Sequence, residues 1–213
     1  MEYASIGNLS FKGNFVNPGI IDKAVKKSKK DLIHSAKTGS IRLTQADFDN
    51  LDQKGQEIKD QFTKIASELP DDIDLKLYKN EVLSSYGWVK AFTAGLKHPL
   101  LGEEKQCASN KRHYDYNSDY NLDCLSDSTK DMSTQEVLTS FVDRRQTSLQ
   151  DDFRFGHTGK AREKIGILTS LAEQDGTYNH ASRVKSILES ALNERLTKEE
   201  NKKANLQFLA GNN

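Results

Sequence analysis

The stretch TQADFDNLDQKGQEIKDQFTKIASELP, residues 44–70, decides the fold class. Thr44 is a helix-capping residue, and the apolar positions after it are Phe48, Leu51, Ile58, Phe62, Ile65 and Leu69. Their spacing places them on one stripe of an α-helix, with Gly55 as the single gap and Pro70 as the stop. The stripe is narrow, the width of a seam between two helices rather than a broad core face.

Helical signals continue on both sides of this segment. Upstream, Asn17 and Pro18 stand as cap and first-turn proline ahead of Ile21, Val25, Leu32 and Ile33, and Gly39 closes that helix. Downstream, Asp71 to Asp74 opens a third helical region through Leu75, Tyr78, Val82, Leu83 and Tyr86. Gly87 interrupts it before Trp88, Val89, Phe92 and Leu96. Ser133 and Glu136 have capping-box spacing ahead of Val137, Leu138, Phe141 and Val142. A further helix carries Ala161, Ile165, Leu168 and Ala172 and stops near Gly176; the next carries Val184, Ile187, Leu188, Ala191 and Leu192. Thr197 and Glu200 make a second capping box for a separate terminal helix.

Two stretches lack this period. Residues 1–15 alternate weakly through Ile6, Leu9, Phe11 and Phe15, as a short hairpin or β-arm would. Residues 97–132 are dense in Asp, Asn, Ser and Tyr. So long a connection marks a functional loop or a linker. The expected fold is therefore all-α, six to eight amphipathic helices in two halves. A helical domain spans 1–97, a polar loop or linker 98–132, and a C-terminal helical module 133–213.

Lys+Arg and Asp+Glu each number 31, so the net charge is zero. A protein that binds nucleic acid by neutralising phosphates carries a basic excess, and that class is disfavoured. At 29 % charged and 35 % hydrophobic residues, the chain is polar but can bury a core. Met1 to Phe15 lacks the basic and apolar regions of a secretory leader, and no run nears the roughly 18 apolar residues that would span a bilayer. Cys107 and Cys124 are too few for a disulfide framework and read as thiols in a reducing cytosol.

Several motifs invite a chemical reading. Asp115, Asn117, Asp119, Asn121 and Asp123 place oxygen ligands at every second position, as a calcium loop does, with Leu122 at the apolar anchor. Tyr120, however, stands where that loop turns on glycine, and Ser126 where it needs a bidentate glutamate. A solvated turn-rich segment is the commoner meaning of such a tract. Cys107, His113 and Cys124, with His98 upstream, lack the paired spacing of a zinc site.

Gly156-His157-Thr158-Gly159-Lys160 has Arg154 and Ala161 where a phosphate-binding loop needs glycine and a hydroxyl, so its glycines shape a turn into a helix capped by Thr158. The five histidines (His34, His98, His113, His157, His180) form no arrangement with a nucleophile. No cofactor is expected. Lys23, Lys26, Lys27, Lys29 and Lys30 give the first helix a basic face. Such a face can touch anionic lipid or another acidic partner, although a solvated charged face is the ordinary outcome.

The C-terminus carries glutamates at Glu194, Glu199 and Glu200, then Leu206, Phe208 and Leu209 before Ala210, Gly211, Asn212 and Asn213. This layout resembles the export signal of type IV secretion effectors of intracellular bacteria, an acidic block with a hydrophobic residue near the end. Phe153, Phe155 and Gly156 lead to a helix with Ala161, Ile165, Leu168 and Leu171, then a linker and the helix of Val184, Leu188 and Leu192. That stretch is similar to helical modules toward the C-termini of such effectors. The resemblance, confined to residues 153–213, implies a virulence protein made in the bacterial cytoplasm and delivered to the host cytosol. It brings no catalytic or binding residues with it.

These observations favour a non-enzymatic protein that engages a host protein through helical surfaces. The expected contact residues are Phe48, Leu51, Ile58 and Phe62 of the seam, with Lys26 and Lys30 of the basic helix. The alternatives are an effector enzyme without a linear motif, cysteine-dependent or ubiquitin-ligase-like, and a metal-binding regulator using residues 107–124.

Overall fold

The structure, a computed structural model, describes residues 13–84, 87–107, 119–174 and 178–211. These residues form six helices and a four-stranded mixed sheet, so the protein is mostly helical but not all-α. It divides into two units, Met1–Val137 and Leu138–Asn213.

In the first unit the chain enters as β1 (Asn14–Phe15), then forms α1 (Gly19–Lys37) and α2 (Gln45–Ser67). Local signals set both helices. Thr44 caps α2: its N–H donates to the Asp47 carboxylate at 2.7 Å and its hydroxyl at 2.8 Å. Gly39, at φ 76°, closes α1, with Gly39 N–H bonded to Ala36 C=O and Ser40 N–H to Ser35 C=O, both at 3.0 Å. That pair of bonds needs a left-handed residue, which glycine adopts without a Cβ penalty. Asn17 takes a different role from the expected one. Its side chain does not cap α1 but pairs with the backbone of Leu77, as described below.

The expected third helix is instead a hairpin of β2 (Asp74–Ser84) and β3 (Gly87–His98). Ile73, Leu75 and Leu77 are buried while Asp74, Lys76 and Tyr78, which alternate with them, are not, the period of a strand. The register pairs Leu75 with Leu96, Leu77 with Ala94 and Lys79 with Phe92, which puts these residues on one face. β1 adds to β2 in parallel, and β4 (Gly102–Glu104) adds to β3 antiparallel, giving the order β1-β2-β3-β4.

Segment 98–132, read as loop or linker, contains β4 and also α3 (Leu122–Thr129). Asn121 caps α3 by accepting from Cys124 N–H at 2.9 Å, and Leu122 and Leu125 are fully buried. α3 lies against β3 and α1, and its Ser128 hydroxyl receives the Phe92 N–H at 3.2 Å. Ile21, Phe62, Leu69, Leu75, Phe92 and Leu96 are fully buried and make the unit's core; the rings of Phe15 and Phe62 sit 5.7 Å apart. Burial of side chains this size stabilises by about 1.5–3 kcal/mol each.

α4 (Thr134–Phe155) starts in the first unit and runs into the second. Ser133 caps it, accepting from Glu136 N–H at 3.2 Å. Gly156, at φ 99°, ends it, with Gly156 N–H to Phe153 C=O at 3.2 Å and His157 N–H to Asp152 C=O at 2.7 Å. The glycine of the rejected phosphate loop is thus a helix stop. α5 (Ala161–Gln174) buries Ile165, Leu168 and Ala172 and packs on α6 (Tyr178–Gly211), which buries Ala181, Val184, Leu188 and Ala191.

The separate terminal helix expected from Thr197 and Glu200 does not exist. Thr197 lies within α6, its hydroxyl donating to Asn193 C=O at 3.0 Å. No Pro or Gly stands between Leu192 and Thr197 to end the preceding helix, so the capping residues never leave helical geometry.

Candidate interaction surfaces

The expected contact residues part company in the structure. Ile58 and Phe62 are core residues of the first unit, 6 % and 0 % exposed, and Ile65 and Leu69 join them. Only Phe48 and Leu51, near the start of α2, are half-buried rather than enclosed. Lys26 and Lys30 are exposed on α1, as is Lys23. The other two lysines of that face are engaged. Lys27 bonds Asp31 at 2.6 Å, and Lys29 bonds Asp52 at 2.6 Å with its ammonium 5.8 Å from the Phe48 ring. No helix among the described residues is long and apolar enough to cross a membrane.

Of the metal-ligand candidates, Asp115 and Asn117 lie outside the described residues, as does His113. Asp119 bonds Lys90 at 2.8 Å and Lys27 at 3.4 Å, and these two ammonium groups hold its carboxyl below the ordinary range. Lys90 is raised in turn, mainly by that hydrogen bond. Asn121 is the α3 cap, and Asp123 bonds Lys54 at 2.8 Å. Each described member of the ladder thus serves a helix cap or an ion pair. Among the described residues no group of His, Cys, Asp and Glu is placed to hold a metal ion.

The thiols and histidines have structural settings. Cys107 donates to Glu104 C=O at 3.4 Å and Cys124 to Lys90 C=O at 3.1 Å, and both side chains are buried. His98 Nδ1 accepts from Leu100 and Leu101 N–H at 3.1 and 3.3 Å, which shapes the turn into β4. Burial lowers the His98 pKa, with Asp72 opposing it. In the second unit His180 Nε2 lies 2.8 Å from Asp143, which also meets Arg183 at 3.4 Å. A groove of about 480 Å³ between α2 and α3 is lined by polar side chains, including Gln53, Lys54, Glu57 and Gln61, with no histidine or cysteine.

Besides single exposed residues such as Phe155, at 77 %, the apolar side chains that face solvent include two groups. In the first unit, Leu83 and Trp88 are register partners at the hairpin end, each 68 % exposed. Lys79 stands two positions along β2 from Glu81 on the same face, its ammonium 5.2 Å from the Tyr120 ring and 6.0 Å from Phe92. In the second unit, every residue of α6 from Leu196 onward is exposed. Leu206, Phe208 and Leu209, at 58 %, 70 % and 59 % exposure, occupy its last turns. In the acidic block, Lys198 bonds Glu194 at 2.7 Å and holds its carboxyl below the ordinary range.

Leu83 and Trp88 were not among the expected contacts. Their signal was the chain's single tryptophan placed directly after Gly87, which a helical reading buries. Compared with family models, with curated proteins and with solved structures, the chain matches none of them.

Proposed function

We propose that this chain is a non-enzymatic interaction protein, a translocated bacterial effector that engages a host protein through helical surfaces. The observation carrying this reading is the end of α6, exposed on all sides while displaying Leu206, Phe208 and Leu209. A helix extension with every residue exposed adds no buried residue to its own unit's core, and helical apolar anchors are what a partner groove receives. The same residues carry the resemblance to an export tail. The exposed lysines Lys23, Lys26 and Lys30 offer a further surface for an acidic partner or anionic lipid. A cysteine-dependent enzyme has less support, because both thiols are buried and donate to backbone carbonyls.

The test is affinity capture from host-cell lysate with the full chain and with a Leu206→Ala, Phe208→Ala, Leu209→Ala variant. A stoichiometric host protein recovered by the former and lost with the latter supports the reading. An identical recovery with both, or none with either, refutes it. Export is read separately by a reporter fused ahead of the chain. No host-cell signal from the full chain would overturn the effector part alone, and signal that survives removal of residues 197–213 would overturn the tail as its export signal.

A further inference from the structure

β2 pairs with β3 along its whole length, but among the described residues its outer edge is used only toward its start. Asn14 and Phe15 pair with Asp74 and Leu75, and Val16 N–H donates to Leu75 C=O at 3.0 Å. The Asn17 side chain then takes both backbone groups of Leu77, donating to its carbonyl at 2.8 Å and accepting from its N–H at 2.9 Å. It acts as one more rung of β1 while the main chain turns away into α1.

Backbone groups alternate in direction along a strand, so the outward setting of Leu77 fixes that of Lys79, Glu81 and Leu83. Among the described residues no hydrogen bond to these groups occurs outside the β2–β3 ladder. An open edge of this kind is a template for another strand. It ends at Leu83, which with its register partner Trp88 is 68 % exposed.

We propose that the outer edge of β2, from Lys79 to Leu83, binds an extended peptide segment of another protein as an added antiparallel strand. Side chains directly opposite one another on a sheet face set the preference. An apolar residue lies opposite Leu83, a basic residue opposite Glu81 and an acidic residue opposite Lys79. Read from its N-terminus the peptide is apolar-x-basic-x-acidic. Antiparallel addition is the better of the two directions per residue.

A second copy of this chain fits less well. Of the registers of a two-fold β2 pair that keep Lys79, Glu81 and Leu83 all opposite β2 residues, two leave these groups most open. In one, Glu81 faces Glu81 of the copy, and like charges directly opposite are destabilising. In the other, Lys79 faces Glu81, but Leu83 of the copy must then lie against Leu77, where Asn17 already holds both groups. A separate peptide turns away before Leu77 and meets neither obstacle.

Trp88, the chain's single tryptophan and the register partner of Leu83, reports the event through Leu83. Its emission is followed while the full chain is titrated with the capped peptide Thr-Phe-Thr-Lys-Thr-Glu-Thr. A saturable blue shift is expected. Glu81→Lys should weaken this peptide by up to about fivefold and favour, by a similar factor, the version with glutamate in place of lysine. Lys79→Glu should do the same for the acidic position. Both residues are exposed, so the variants should fold; circular dichroism checks this.

Unchanged Trp88 emission at millimolar peptide overturns the proposal, as does a charge preference the variants leave unmoved. Tighter binding of the reversed sequence overturns the stated direction. Binding seen only after removal of residues 1–12 assigns the edge to this chain's own N-terminus. A concentration-dependent dimer abolished by proline at Lys79 assigns it to a second copy. Either assignment also overturns the proposal.

Discussion

Gly95 lies on β3 where no side chain fits. An alanine methyl there would stand 2.4 Å from the Glu104 carbonyl oxygen, 2.6 Å from Tyr78 Cε2 and 2.8 Å from Lys105 Cα. Two of those three atoms are backbone. They are held by the pairing of Leu96 with Glu104 and by the Cys107 N–H, which donates to Ala94 C=O at 2.8 Å. The methyl is admitted only if β4 parts from β3 and the Tyr78 ring swings out. Forced overpacking costs about 1–3 kcal/mol, and fixed backbone puts this case at the upper end. Against it stands the roughly 0.5–1 kcal/mol gained when a strand glycine becomes alanine. Gly95→Ala should therefore destabilise the first unit by about 2 kcal/mol. With urea slopes of about 1–3 kcal/mol per molar, its midpoint in a far-ultraviolet circular dichroism titration should fall by about 1 M. A midpoint equal to or above that of the parent would mean the β3–β4 approach is looser than these distances require, and would refute the reasoning.

The opposite sign is expected for Gly166→Ala in α5. Apart from the helix's own backbone, nothing lies within 4 Å of the added methyl, so the second unit should gain about 0.5–1 kcal/mol, read as a raised melting temperature. Phe62→Ala, at a site with 0 % exposure, should cost about 3–5 kcal/mol in the same urea titration. An effect under 1 kcal/mol would place Phe62 outside the core. Tyr78 donates to the Glu103 carboxylate. That hydrogen bond lowers the Glu103 pKa below 4.5, while burial, then Glu103 itself, raises that of Tyr78 above 10.0. The Glu103 contribution is fully present above pH 4.5 and is lost as pH falls through the lowered value. The Tyr78 contribution is present below pH 10.0 and is lost as pH rises through the raised one. The stability gap between parent and Tyr78→Phe, about 1 kcal/mol for a largely exposed pair, should hold between these limits and shrink outside them. A gap constant across the whole range would show that the pair does not act as a unit.

The helix boundaries around α1 and α2 were legible because their causes are local. Gly39, Thr44 with Asp47, and Pro70 act on backbone groups a few residues away, whatever the rest of the chain does. The hairpin was not legible in the same way. Leu75, Tyr78, Val82, Leu83 and Tyr86 satisfy helical spacing, while the competing alternation of Ile73, Leu75 and Leu77 covers only three positions. Pairing of β2 with β3, and α3 placed against β3, decided between the two, and both are contacts distant in sequence. Thr197 illustrates the converse. Its capping box is correct as a pattern, but a cap forms only where the preceding chain leaves the helix, and α6 never does.

Residue identities alone settled the charge balance, the mostly helical character, and the defects that spoil the calcium-like and phosphate-like motifs. Those are properties of composition and of positions a few residues apart. Tertiary packing decided which apolar residues stay in solvent. Ile58 and Phe62 look as suited to a partner as Leu206 and Phe208 do, but the first pair is enclosed by its own unit and the second is left outside. Burial is a property of what else packs at the same place, and no pattern along one helix records it. The open edge of β2 has the same origin. Among the described residues, three of the β1 region and one asparagine side chain, Asn14 to Asn17, cover that edge as far as Leu77 and no further.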